Sequence, residues 1–182
     1  IPLGLGKLPV MIAIGLVLLM VAMSFKVSAA PFHFWTPDVY DGAPTVFTAF
    51  MSTIVKTAGF AAIYRLLSGS FSGIYNFWWV TMAAITVLTL LAGNVTAIYQ
   101  QSFKRMMAYS SISHAGYLLL SLTALTSQSQ SAIVFYSLAY SLATISAFGV
   151  LMVLTKETGV RSYETAENFE AFNGLGKKNP LL

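Results

Sequence analysis

Lys56 stands in the middle of an apolar run, twelve residues after Pro44 and eleven before Leu67. In a helix rising 1.5 Å per residue it is about 17 Å from either end, farther than a lysine stem can snorkel. An ammonium at the centre of a bilayer costs on the order of 3 kcal/mol, so a lysine placed there faces a polar interior. Two uses fit such a residue: proton exchange, to which a buried lysine is suited, or a buried cation that pins helix packing.

A second group precedes it. The first segment stays free of acids for about 30 residues and yet contains Lys26, Pro31, His33 and Pro37. Pro31 cannot donate to the carbonyl of Val27, nor Pro37 to that of His33, so the helix is expected to break there. Broken helices at membrane depth are tolerated where their freed carbonyls line protein or water, a design common at ion-coupling sites. Lys26 sits about one turn before this break, placed to carry protons or to snorkel to the interface. His33 reads as a proton relay or as a satisfied structural histidine. Asp38 and Asp41 follow in a Pro/Gly turn, where an aspartate commonly caps the next helix.

His114 supplies a third candidate, with Ser110 and Ser111 at i−4 and i−3 and Tyr117 and Ser121 at i+3 and i+7. These form one polar stripe, either a water-bearing path or hydroxyl glue between helices. Tyr136, Tyr140 and Thr144 form a weaker stripe with no group that ionises at neutral pH, and packing is the better reading for it. Lys104 and Arg105 read most simply as topology anchors, with Lys104 close enough to lead a proton toward His114. P-loop, dinucleotide fingerprint, metal-ligand cluster and nucleophile-base pair are all missing from the sequence.

The elements that position these residues are transmembrane helices. Of 182 residues, 57% are hydrophobic and 9% charged, with mean hydropathy +0.73, against about 25% charged in a soluble domain. That composition excludes a soluble enzyme, a nucleic-acid binder and a secreted domain. Five continuously apolar segments, at about 8–34 (broken at Pro31), 44–67, 77–99, 106–125 and 131–154, match the roughly 20 residues a span needs. They do not alternate as barrel strands do. The expected fold is an all-α polytopic bundle. The positive-inside rule places Lys104 and Arg105 in the cytoplasm. Alternation puts the connector at 155–180, with Lys156, Arg161, Lys177 and Lys178, on the same side. Within it, residues 163–172 read as an interfacial helix with an acidic face. The net charge of +4 is thus read as topology, and the absence of cysteine excludes disulfides, thiolate metal sites and iron-sulfur ligation by this chain. The opening Ile1-Pro2-Leu3 and the closing Asn179-Pro180-Leu181-Leu182 suggest an internal piece of a longer polypeptide.

Taken together, Phe25-Lys26-Val27-Ser28, Pro31-Phe32-His33-Phe34-Trp35-Thr36-Pro37-Asp38-Val39-Tyr40, Gly42-Ala43-Pro44, Thr48 to Lys56, Gly93-Asn94, Lys104 to His114, Gly174-Leu175-Gly176 and Asn179-Pro180 resemble a known signature. It is that of the N-type (chain 2) antiporter-like membrane subunits of the proton-pumping NADH:quinone oxidoreductase, respiratory complex I. L-type and M-type subunits and the related antiporters usually carry Leu-Pro-Asp-Ala where this chain reads Thr36-Pro37-Asp38-Val39. L-type members also carry two histidines and a lysine on the eleventh span, and the nearest residues here, Tyr136, Tyr140 and Thr144, lack those charges. That departure supports the N type and argues against a direct relay through the fifth segment.

The resemblance implies a subunit of about fourteen spans with two inverted five-helix repeats, of which this chain covers spans seven to eleven. It implies a proton path through Lys26, which faces a glutamate on an earlier span, and through Lys56, with His33 and His114 near it; Lys104, read from its own position, is the remaining candidate on that path. It implies no cofactor in this chain, with FMN, iron-sulfur clusters and quinone on other subunits. The partners implied are the M-type and small membrane subunits, the lipid bilayer and protons, with no nucleic acid. The membrane implied is the bacterial inner membrane, with mitochondrial inner or thylakoid membranes as alternatives. The competing reading is a subunit of a multi-subunit sodium/proton antiporter or a membrane-bound hydrogenase. A passive scaffold is the third, and central lysines beside a broken helix are costly ornaments for it.

Overall fold

The structure, a computed structural model, describes residues 9–157 and 168–174. Among these it is an all-α bundle: α1 (Val10–Lys26), α2 (Trp35–Gly42), α3 (Thr45–Phe50), α4 (Lys56–Arg65), α5 (Tyr75–Ala97), α6 (Phe103–Ala124) and α7 (Ser129–Glu157). Three stretches are long and apolar enough to cross a membrane, Thr45–Ser70, Ser72–Ala97 and Ser129–Thr155, and Val10–Lys26 is a shorter apolar helix. Their outward faces carry exposed Ile14, Leu18, Val87, Leu91, Phe135 and Leu142, which lipid accepts and water would not.

The helix break lies earlier than the prolines suggest. α1 ends at Lys26, five residues before Pro31, in a Schellman motif: Ser28 N–H donates to Phe25 O (3.1 Å) and Ala29 N–H to Ser24 O (2.8 Å). Ser28 takes the left-handed conformation at φ 64°, usually glycine's place and a cost of about 1 kcal/mol for serine. The freed groups are met from other helices: Ala30 N–H donates to Thr89 Oγ1 of α5 (2.9 Å) and Trp35 Nε1 to Phe25 O (3.1 Å). Pro37 breaks nothing. It occupies the first turn of α2, where backbone N–H groups have no intrahelical acceptor to lose.

Asp38 and Asp41 lie inside α2 and cap nothing; the residue before α3 is Pro44, with no side-chain cap. Instead they face the first turn of α6, where Arg105 Nη1 is 2.8 Å from Asp38 Oδ1 and 3.8 Å from Asp41 Oδ2, and Ser102 Oγ donates to Asp41 Oδ1 (2.8 Å). Asp38 is 75% exposed, and exposed pairs are worth about 0.2–1 kcal/mol. Asp38→Asn in the full-length protein is therefore expected to leave its melting temperature within about 2 °C of wild type. A larger drop in a thermal unfolding scan would show this pair to be a structural anchor.

Between α3 and α4 the helix widens into a π-turn, Met51–Val55. Ser52 Oγ and Thr53 Oγ1 both donate to Ala49 O, at 3.0 and 2.7 Å, loading the carbonyl that the regular ladder uses. Lys56 is the first residue after this turn.

α6 is the centre of the bundle, packed by α5, α2 and α7, and its buried residues run from Lys104 to Leu122 around the helix. It lies flat against α5 because two glycines remove side chains at the crossing. A Cβ on Gly93 would meet Ser113 N at 2.6 Å, and one on Gly116 would meet Leu90 Cδ2 at 2.7 Å. Lys104 and Arg105 belong to the first turn of α6 and not to a solvated connector. Of the expected interfacial helix at 163–172, residues 163–167 lie outside the described residues; Phe169–Phe172 form one 3-10 turn, its rings edge-on to Phe103.

Candidate functional site

Four helices converge on one serine. Lys56, 4% exposed, reaches from α4 to α6, where Nζ donates to Ser111 Oγ (2.5 Å) and Ser111 O (2.8 Å). The Tyr40 hydroxyl from α2 and the Tyr140 hydroxyl from α7 come in beside the same serine, and Thr144 lies beside Tyr140. Tyr40 is buried and fixed through its backbone, its carbonyl accepting from Thr48 Oγ1 at 3.0 Å. The Tyr140 hydroxyl is buried without a hydrogen bond. An amine with two acceptors on one serine, and two phenols beside that serine, can be held in one place and can exchange a proton with a neighbour.

One turn along α6, His114 takes the second position. Its Nδ1 is 2.7 Å from the Tyr136 hydroxyl and its ring lies against Tyr140, centroids 4.6 Å apart. Tyr136 therefore does more than pack, which its sequence setting did not suggest. Ser111, read as His114's companion in a stripe, serves Lys56. An open groove between α6 and α7, lined by Ser110, His114, Tyr136 and Thr144, exposes this pair.

The remaining candidates sit apart. Lys26 ends α1 and is exposed, its stem passing Gly59 one turn beyond Lys56, where a Cβ would come within 3.9 Å of Lys26 Cγ and 3.0 Å of Val27 Cγ1. His33 lies in the break, half-buried, with Nδ1 buried and unbonded. Lys104 is 4% exposed, where a solvated anchor would be open, and Nζ donates to Ala43 O (3.0 Å) and Asp41 O (3.4 Å). A cation at that place complements the carbonyl end of α2. Arg105, before the apolar run, is raised above its already high range, chiefly by its hydrogen bond to Asp38. Among the described residues no group of three or more His, Asp or Glu comes together to hold a metal.

A transmembrane family described as NADH:quinone oxidoreductase/Mrp antiporter matches residues 4–182. NADH-quinone oxidoreductase subunit N of Trichlorobacter lovleyi is 45% identical over 177 residues, covering 97% of this chain and 35% of the relative. The subunit of the same name from Cytophaga hutchinsonii is 43% identical over 169 residues, covering 93% and 36%. The chain thus spans about a third of the length of these curated relatives. A chain of respiratory complex I from Thermus thermophilus with bound aureothin matches at TM-score 0.71 and 40% identity, over 92% of this chain and 35% of that one. One from the membrane-bound sulfane sulfur reductase, an archaeal respiratory membrane complex, matches at TM-score 0.78 and 29% identity, over 98% and 36%. With its helical bundle, its membrane-length apolar helices and this match over nearly every residue, the chain belongs to the NADH:quinone oxidoreductase/Mrp antiporter transmembrane family and is a multi-pass membrane protein.

Proposed function

We propose that this chain is part of subunit N of a proton-pumping NADH:quinone oxidoreductase and forms a portion of its proton channel. NADH oxidation and quinone reduction take place on other subunits, which carry the FMN, the iron-sulfur clusters and the quinone site; this chain moves protons. The observation that carries the reading is the buried Lys56 ammonium, held by Ser111 at mid-span, in a chain whose similar relatives are named subunit N. In this reading a change of charge near Lys26, passed from a neighbouring subunit, drives a proton through ordered water to Lys56. His33 and His114 flank the path, and Lys104 stands at its mouth while holding the end of α2. The neighbours are an M-type subunit, small membrane subunits and lipid, in a bacterial inner membrane.

The alternative, a subunit of a multi-subunit sodium/proton antiporter or of a membrane-bound hydrogenase, uses the same helices without NADH, and the family's description, which names the Mrp antiporter beside the oxidoreductase, favours testing it. Deleting the full-length protein in its host separates the two. NADH-driven, quinone-dependent proton uptake into inverted membrane vesicles is expected to vanish. Intact NADH-driven uptake with loss of sodium/proton exchange would replace the proposal with the antiporter reading.

A further inference from the structure

Ser111 is fully buried, and its carbonyl and hydroxyl are the two acceptors the structure gives Lys56 Nζ. An ammonium taken out of water needs its donors satisfied, and both bonds here come from one residue on a neighbouring helix. The same hydroxyl has the phenols of Tyr40 and Tyr140 beside it. Tyr40 belongs to α2, the short helix after the break, and α2 is tied to α6 by Arg105 and Lys104. A shift of α2 along α6 would therefore carry the Tyr40 hydroxyl past the serine that holds the lysine.

We propose that Ser111 is the positioning residue of Lys56: it fixes where the ammonium sits and couples the broken-helix segment, through Tyr40, to the readiness of Lys56 to release its proton. This rests on the reading of Lys56 as a proton carrier. The step itself is a simple transfer. Lys56 NH3+ gives one proton to an adjoining acceptor or water and becomes NH2, and Ser111 then turns its hydroxyl hydrogen toward the neutral amine in place of accepting from it. The titratable groups about this pair are Tyr40 from α2 and Tyr140 from α7, beside Ser111, and His114 from α6, near Lys56, and the substitutions leave all three residues unchanged.

The test uses Ser111→Ala and Ser111→Cys in the full-length subunit within its assembled complex. The cysteine keeps nearly the volume of serine but is a weak acceptor. NADH-driven proton uptake by inverted vesicles is recorded from about pH 6 to about pH 9, alongside electron transfer and the amount of assembled complex. Losing a hydrogen bond to the charged form favours release of the proton, so the pH midpoint of uptake is expected to fall by about one unit in both variants. Protons moved per NADH should fall several-fold. A filler of space has no reason to move the pH midpoint. Either assembled variant keeping the wild-type midpoint and yield overturns the role of Ser111. Lys56→Ala, run beside them, separates that outcome from failure of the underlying reading, since normal pumping without Lys56 would sink both.

Discussion

Lys56→Ala in the full-length subunit, within its assembled complex, is expected to cut NADH-driven proton uptake into inverted vesicles by at least about tenfold, with coupled electron transfer falling alongside it. Among the described residues no other titratable group is placed to take over from Lys56. His114 is occupied with Tyr136, Lys26 lies at the end of another helix, and Lys104 is turned toward the carbonyls of Asp41 and Ala43. Alanine removes the amine and takes the Lys56 donor from Ser111 Oγ and Ser111 O, a cost of about 1–3 kcal/mol that a large membrane complex absorbs. Lys56→Arg separates charge from exchange. A guanidinium keeps the positive charge but does not give up its proton near neutral pH, so this variant should also fail to pump. Full pumping in Lys56→Ala would reduce the lysine to a packing cation, and pumping in Lys56→Arg alone would make it a fixed charge.

The second large effect is structural. Gly93→Ala places a methyl group 2.6 Å from Ser113 N and 2.8 Å from Ser113 Cα. Both are backbone atoms that no rotamer change can move aside. Alanine gains about 1 kcal/mol of helix propensity over glycine, but prying apart two helices that cross this closely loses contacts along their length, and overpacking costs about 1–3 kcal/mol or more. Small residues at such crossings are what allows helix backbones to touch in a membrane. Gly93→Ala should lower the melting temperature of the complex, and Gly93→Leu should remove the full-length protein from the membrane, read as its abundance in isolated membranes. Gly116→Ala is the milder companion, because what it meets first is the Leu90 side chain (Cδ2 at 2.7 Å), with the nearest backbone atom, Leu90 N, at 3.3 Å. Equal abundance of wild type and Gly93→Leu would show that α5 and α6 do not need this contact.

The membrane class and the helical bundle could be read from the sequence because they rest on quantities a sequence states directly: long apolar runs and few charges. Lys56 was conspicuous for the same reason, since a cation in the middle of such a run is too far from either end to snorkel and leaves only proton exchange or a packing cation as readings. The break was visible in Pro31 and Pro37 but misplaced, because its actual cause is a left-handed serine and a hydrogen bond from Ala30 to Thr89, which is 59 residues away. Lys104 looked like a solvated anchor because its partners are backbone carbonyls, and those carry no mark in a sequence. Tyr40 and Tyr140 went unnoticed as companions of Lys56, since phenols among apolar residues look like packing until α2 and α7 are seen to meet at Ser111. Asp38 and Asp41 were misassigned by local habit; their real partner, Arg105, is more than 60 positions away.

The hydroxyl-rich character of α6 has a consequence for how the protein enters its membrane. α6 carries Ser110, Ser111, Ser113, His114 and two cations, and it is not among the stretches apolar enough to cross on their own account. An insertion machine that admits segments by partitioning them into lipid gains little from it. α5 leaves the ribosome first, is strongly apolar and presents the glycine notch that α6 fits. Partitioning therefore predicts that the two enter as one hairpin, the helix that carries Ser111 and His114 brought in by the neighbour whose Thr89 also bonds the break.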